Sequence, residues 1–389
     1  MRRSLFGVLA SIYILLSGVP SGFTQTIQKN DYVFTFSAKI SCGPVEDQGS
    51  TGTCWSFSTA SFLESEMVRT GKQLIDLSEM FYVRLNYLEK ADLYLRYQGK
   101  NNFGEGSLSH DILRLYQKYG AIPESVYSGL VGNTSRHSHG RMEGLLKKYL
   151  DNLISGREIP ANWRDGYIQI LDEHLGPLPA TFIYEGRTWD PKTFAKEFVG
   201  LNASDYVSLT SFSHHPLYES FVLEIPDNYV HASFFNVRLA DLTEITSNAL
   251  EKGYSVVWDC DVSEKGFSAR QGLAIVPSEE VLASRDQNPF ELPTEEMEIT
   301  PELRQLEFDS YGLTDDHLMH LVGVAKDQKG NDYYYVKNSW GEAVGLDGYL
   351  FASKSYFELN TISITVHKDV IPETLSRKIG LPTNESLND

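Results

Sequence analysis

Cysteine is scarce in this sequence: three in 389 residues, at positions 42, 54 and 260. Disulfides are thereby excluded as the main source of stability, since an odd count leaves at least one thiol unpaired. Cys42 and Cys260 could pair with each other, whereas Cys54 must stay free if it is to react. Positive charge is also short, with 34 Lys and Arg against 52 Asp and Glu and a net charge of −18. A surface of that sign repels nucleic acid and anionic membrane, both of which demand a basic footprint. Long apolar runs are missing after the first residues, where Leu5 to Leu16 follow Arg2 and Arg3 and precede small and polar residues up to Thr24. That run falls short of the roughly 20 residues of a membrane span and reads as a cleavable export signal over residues 1–24. Its removal would leave a secreted or periplasmic protein with no membrane attachment. Internal repeats and low-complexity tracts are absent too. His137, His139, His214 and His215 have no cysteine or carboxylate at metal-ligand spacing, so neither a metal nor another cofactor is expected. What is present is 41% apolar residues, enough for one large core or two.

Periodicity divides the chain. Tyr32-Val-Phe34-Thr-Phe36 alternates as a strand does. Trp55, Ala60, Leu63, Met67 and Val68 recur at helical spacing from Cys54 to about Thr70, and Gly71 closes that helix. A second helix begins near Leu77 with Ser78 as its cap, and a third spans Ser107 to Tyr119 before Gly120. Residues 121–300 mix helical patterns, such as Gly144–Leu153 and Tyr167–Leu175, with strand-like runs at Tyr206–Leu209 and Ser255–Val257. The stretch Glu279–Glu307 is rich in acids and prolines and reads as a solvated connector with short helical pieces. Strands return at His320–Ala325, Tyr333–Asn338 and Gly348–Phe351. The reading is α+β: a helical lobe over 25–120, an insertion and connector over 121–300, a β lobe over 301–374 and a C-terminal arm over 375–389.

Chemistry concentrates at both ends. Cys54 stands where the first helix begins, so the helix dipole favours its thiolate. Gln48 precedes it across Gly49 and Gly52, which allow a tight loop that returns a side-chain amide toward a developing oxyanion. The polar cluster Lys326–Asp332 reads as a turn centred on Lys329, which sets His320 directly opposite Asn338 across a hairpin. An amide oxygen at that range can orient an imidazole toward a thiol. His317 is the competing histidine, and three residues along a strand it would point to the other face.

Gln48 through Phe57, His320-Leu-Val-Gly, Lys337-Asn-Ser-Trp-Gly341 and Gly348-Tyr349 resemble, in order, the motif blocks of papain-like cysteine peptidases. The resemblance implies a two-lobe papain-like fold with the site in the cleft between a helical lobe and a β-barrel-like lobe. It also implies roles: Cys54 as nucleophile, His320 as general acid/base, Asn338 as orienter and Gln48 as oxyanion donor. Trp55 and Trp340 would support the site, Trp340 by shielding the Asn–His bond. The family's paired glycines, where substrate backbone binds, fall at Gly106 and Ser107, with serine replacing the second. The length between Cys54 and His320 resembles the bleomycin hydrolase and aminopeptidase C branch, as do Lys118–Pro123, Asp205–Leu209 and Thr314–His320. That branch implies a large mixed insertion, a homo-hexamer with sites facing an internal cavity, and a C-terminal arm that fills the cleft and makes the enzyme an aminopeptidase on peptide substrates. An open-cleft endopeptidase and an inactive peptide-binding homologue are the alternatives.

Overall fold

The computed structural model describes residues 25–284 and 287–381. The expected export signal and residues 382–389 of the expected arm lie outside the described residues. Helix α1, Cys54–Arg69, is buried on almost every side, because it lies between two further helices and a sheet. Gly71, at φ +79°, closes it as expected. Helix α2, Glu79–Arg96, starts at Ser78, whose Oγ accepts from the Phe81 N–H at 3.1 Å. Helix α3, Ser109–Tyr119, begins two residues later than its pattern suggests and stops at Gly120, φ +95°. Two insertion helices, α4 (Gly140–Gly156) and α5 (Trp163–Leu175), pack on the same helical core through Leu146, Leu150, Tyr167 and Leu171.

The β lobe is one mixed sheet. Its central strands are β1 (Tyr32–Lys39), β2 (Tyr206–Thr210), β3 (Val256–Cys260), β4 (His317–Lys326), β5 (Asp332–Lys337), β6 (Tyr349–Ser353) and β7 (Thr361–His367). They run in the order β2-β7-β3-β4-β5-β6, and β1 pairs with β4 as well. One sheet face meets α1 through Val257 and Leu318. The opposite face carries Trp258, Met319, Leu321 and Val336 against the helix Leu239–Glu251.

The β4–β5 register decides which side chains meet. From Lys326↔Asp332 to Gly323↔Tyr335 the strands pair as a turn centred on Lys329 requires. A bulge between Leu321 and Gly323 then slips the pairing by one residue, so His320 stands opposite Lys337. A one-residue slip exchanges the two faces of a strand.

The expected solvated connector is only partly solvated. Its helix Pro301–Asp309 buries Arg304 completely, with the guanidinium on the carbonyls of Ser211 at 2.9 Å, Glu358 at 3.2 Å and Leu359 at 2.9 Å, and on that of Thr361. The three cysteines are free. Cys42 lies 3.4 Å from the Tyr349 hydroxyl and Cys260 3.7 Å from the His317 carbonyl, so they do not pair. The described part of the arm, residues 375–381, continues the short helix Glu373–Lys378, and its Leu375 and Ile379 are buried in the core beside the helix Leu239–Glu251.

Candidate active site

Cys54 is the first residue of α1, and its side chain is buried. N–H groups of a first helical turn have no intrahelical acceptor, so they point positive charge at this thiol. The loop before it is held from several sides. Gly52 N–H donates to Glu105 Oε2 at 2.5 Å, and the Trp55 indole N–H donates to the Glu105 carbonyl at 3.0 Å. Gln48 donates through Nε2 to the Thr51 carbonyl at 2.7 Å and accepts the Ser339 hydroxyl on Oε1 at 2.6 Å. That pair of bonds fixes which end of the amide is nitrogen and uses one of its two N–H groups. The Gln48 N–H also donates to the Ser339 carbonyl at 2.9 Å, joining the nucleophile loop to the residue after Asn338.

The histidine that meets Asn338 is His317, not His320. His317 Nε2 lies 2.8 Å from Asn338 Oδ1, and Trp340 stacks on the imidazole at 4.6 Å between ring centroids. Because Oδ1 also accepts the Ser339 N–H at 2.7 Å, it is an acceptor, and His317 Nε2 carries the proton. Nδ1 is then the nitrogen available to a thiol. The backbone N–H of the next residue, Leu318, bonds the Cys54 sulfur, which brings the thiol against the strand segment that carries His317. His320 points the other way: its Nδ1 lies 3.0 Å from Ser61 Oγ, which also accepts from Lys337 Nζ at 2.8 Å, and its ring meets Phe62 edge-on. The bulge explains the exchange. Past it, Asn338 shares a face with Met319 and His317, while His320 shares one with Lys337. The expectation that His320 faces Asn338 assumed an unbroken ladder.

Electrostatics at the pair are set by burial. Burial pushes the Cys54 thiol up to about 12, with Asp315, Asp227 and Asp259 adding to that, against the Leu318 N–H. Burial also lowers His317 to about 4, with the Asn338 hydrogen bond acting against it. Both shifts favour the neutral forms, the thiol of Cys54 and the imidazole of His317. Since His317 stays neutral well below the usual histidine value near 6.5, kcat/KM should hold as pH falls and drop only near pH 4. A pH–rate profile whose acid limb sits near 6.5 would contradict this. For folding the sign is the same: the unfolded chain binds the proton first, so His317's contribution to stability is lost as pH falls from about 6.5 toward 4.

The substrate strip departs from expectation. Ser107 is buried and donates its hydroxyl to Asp111 Oδ2 at 2.6 Å, so its side chain serves the helical lobe rather than the cleft. Gly106 remains at the surface of the strip, and Asp227 lies directly over it: a Cβ there would stand 1.9 Å from Asp227 Oδ2. The insertion also grips the nucleophile loop, with the Ser50 N–H donating to the His137 carbonyl at 2.9 Å. Glu105, Asp227 and Ser339 are residues that sequence reasoning missed. Only Ser339 carried a signal, as part of Asn-Ser-Trp-Gly.

Comparison with known proteins gives the family and the fold. The Peptidase C1-like family pattern matches residues 184–385, and that of Papain family cysteine protease matches residues 33–86. Aminopeptidase C of Lactococcus lactis subsp. lactis (strain IL1403) is 24% identical over 377 residues, covering 87% of this chain and 84% of the relative. Aminopeptidase C of Streptococcus thermophilus is 25% identical over 392 residues, covering 89% and 85%. The crystal structure of PepW from Lactobacillus rhamnosis superposes with a TM-score of 0.70 at 22% identity, covering 89% of this chain and 84% of that one. The chain belongs to the Peptidase C1-like family. It is a cysteine peptidase with a papain-like fold.

Proposed function

We propose that this protein is an exported aminopeptidase that hydrolyses the first peptide bond of short peptides through Cys54, His317 and Asn338. The observation that carries the reading is that Leu318, whose N–H bonds the Cys54 sulfur, directly follows His317, whose Nε2 meets Asn338 Oδ1 under Trp340. Cys54 attacks the scissile carbonyl as His317 takes the thiol proton. The oxyanion is held by Gln48 Nε2 and the N–H groups at the start of α1. His317 then protonates the leaving amine, and the same imidazole activates water to release the acyl group. Restriction to the first residue is supported by the insertion, which crowds the strip at Gly106 and the loop at Ser50, and by the names of the relatives. Export rests on the character of residues 1–24, and a hexamer rests on resemblance to the aminopeptidase C branch alone.

The test uses fluorogenic amides with free or acetylated N-termini, with Cys54→Ala as control. Cleavage of the free-amine substrates only, absent in the control, is the expected result. Equal cleavage of acetylated substrates would make the protein an endopeptidase. No cleavage of either, with no reaction of Cys54 toward a thiol-directed epoxide, would leave a peptide-binding homologue. Gln48→Ala should lower kcat by about 10²- to 10³-fold with KM little changed, because the amide acts on charge that develops in the transition state. A change confined to KM would remove Gln48 from that role.

A further inference from the structure

His214 and His215 follow β2 and take no part in the chemistry at Cys54. No carboxylate stands near them in sequence, yet the fold brings Glu224 to both from ten and nine residues further along. His214 Nε2 lies 3.2 Å from Glu224 Oε2, and His215 Nε2 lies 2.8 Å from Glu224 Oε1. One ligand atom from each of the three residues falls within 4.8 Å of the other two. Ligands bonded to a tetrahedral zinc at about 2.0–2.1 Å stand roughly 3.3 Å from one another, so small side-chain shifts close the set.

The frame behind these side chains is rigid. Asn236 is fully buried, and its Nδ2 reaches the carbonyls of Phe212, His215 and Pro216 at 2.8, 3.0 and 3.1 Å, which pins the loop that carries both histidines. Gln305, on the helix Pro301–Asp309, accepts the Ser213 N–H on Oε1 at 2.6 Å and donates from Nε2 to Asp309 Oδ1 at 2.8 Å. Both ends of that oriented amide reach His214 Nδ1, the oxygen at 3.3 Å and the nitrogen at 3.1 Å. A metal-bound imidazole donates its other N–H to such an oxygen, which leaves Nε2 to the ion. His215 stacks on Phe221 at 4.1 Å between ring centroids, and His214 stacks on Phe308 at 5.6 Å. Glu224 is anchored from both sides, because Leu223 and Ile225 are buried in the helical core.

We infer that His214, His215 and Glu224 bind one zinc ion through two imidazole nitrogens and a carboxylate oxygen. Two imidazoles and a carboxylate suit zinc, whereas calcium and magnesium favour shells of oxygen alone. Each Nε2 donates to Glu224 only when it carries a proton, and a divalent cation takes the place of those two protons while leaving the carboxylate paired. The three side chains are 28%, 33% and 56% exposed, so the ion can enter and water can complete its coordination. The ion would tie the loop after β2 to the segment that runs on to Asp227 over Gly106. It would act as a clasp on the insertion, and the inference stands independently of the proposed function.

The test titrates zinc chloride into the full-length Cys54→Ala protein, a background that removes the reactive thiol as a competing ligand. Calorimetry should show one equivalent bound, and the unfolding temperature should rise by a few degrees, because the ion binds the folded chain alone. Magnesium chloride at the same concentration should do neither. Glu224→Gln and His215→Gln, each made in that background, should weaken zinc binding by at least about 10-fold, the loss of one ligand, and abolish the thermal shift. Without added zinc both variants should unfold close to the parent temperature, since the substituted side chains are partly exposed. Absence of a one-equivalent transition in the parent overturns the inference, and so does an unchanged zinc affinity in either variant. Equal binding of magnesium overturns it too, by making the cluster a patch of negative charge without preference for nitrogen-binding metals.

Discussion

His317→Ala will lower kcat by about 10²- to 10⁴-fold per competent site, the range by which a positioned general acid–base group accelerates a reaction. The loss falls on kcat because the imidazole moves protons and does not bind peptide. The control is His320→Ala. That side chain contacts Ser61 and Phe62 inside the molecule, so turnover per titrated site should stay within a few-fold. What it should lose is stability, about 1–3 kcal/mol, from the cavity and the broken hydrogen bond. Thermal unfolding and burst titration on the two variants separate these effects. The reverse pattern, with His320→Ala inactive and His317→Ala active, would overturn the assignment of the hydrogen bond to Asn338 as the catalytic one.

Arg304→Ala is expected to cost about 3–5 kcal/mol of folding stability, among the largest effects available from a single substitution. The guanidinium bonds four backbone carbonyls drawn from two distant segments, Ser211 on one side and Glu358, Leu359 and Thr361 on the other. Burial lowers its pKa to about 9, still charged at neutral pH, and Phe212 packs 4.7 Å from its carbon. Removing it strands carbonyls that water cannot reach. Arg304→Lys should recover little, since one ammonium cannot span carbonyls arranged for a planar fork. Denaturant unfolding measures both; a loss under 1 kcal/mol for the alanine variant would show that the carbonyls find other donors.

The elements around the site were legible to different degrees. Cys54 at a helix start, Ser78 as a cap and Gly71 and Gly120 as stops depend on local rules, and the structure has them. The turn at Lys329 was equally local, and its first four pairs run as expected. His320 against Asn338 was a longer extrapolation, and one extra residue in β4 broke it. A trace of that bulge was present in Gly323, since glycine inside a strand often marks one. Here an added Cβ would stand 2.7 Å from the Ala38 carbonyl of β1. Nothing in the sequence places Asp227 over Gly106, because that contact joins segments more than a hundred residues apart. Arg304 was hidden for the same reason: an acid- and proline-rich stretch reads as solvated until a buried cation is seen among carbonyls.

The insertion's two footholds, at Ser50 and over Gly106, divide labour along the chain. The proposed bond-breaking groups sit on α1, β4 and the residues just after β5, whereas the segments pressed against Ser50 and Gly106 come from residues 121–300. Such a protein can acquire a new diet by remodelling a segment that holds none of its reactive atoms. The thiol and its imidazole need not move for the menu to change.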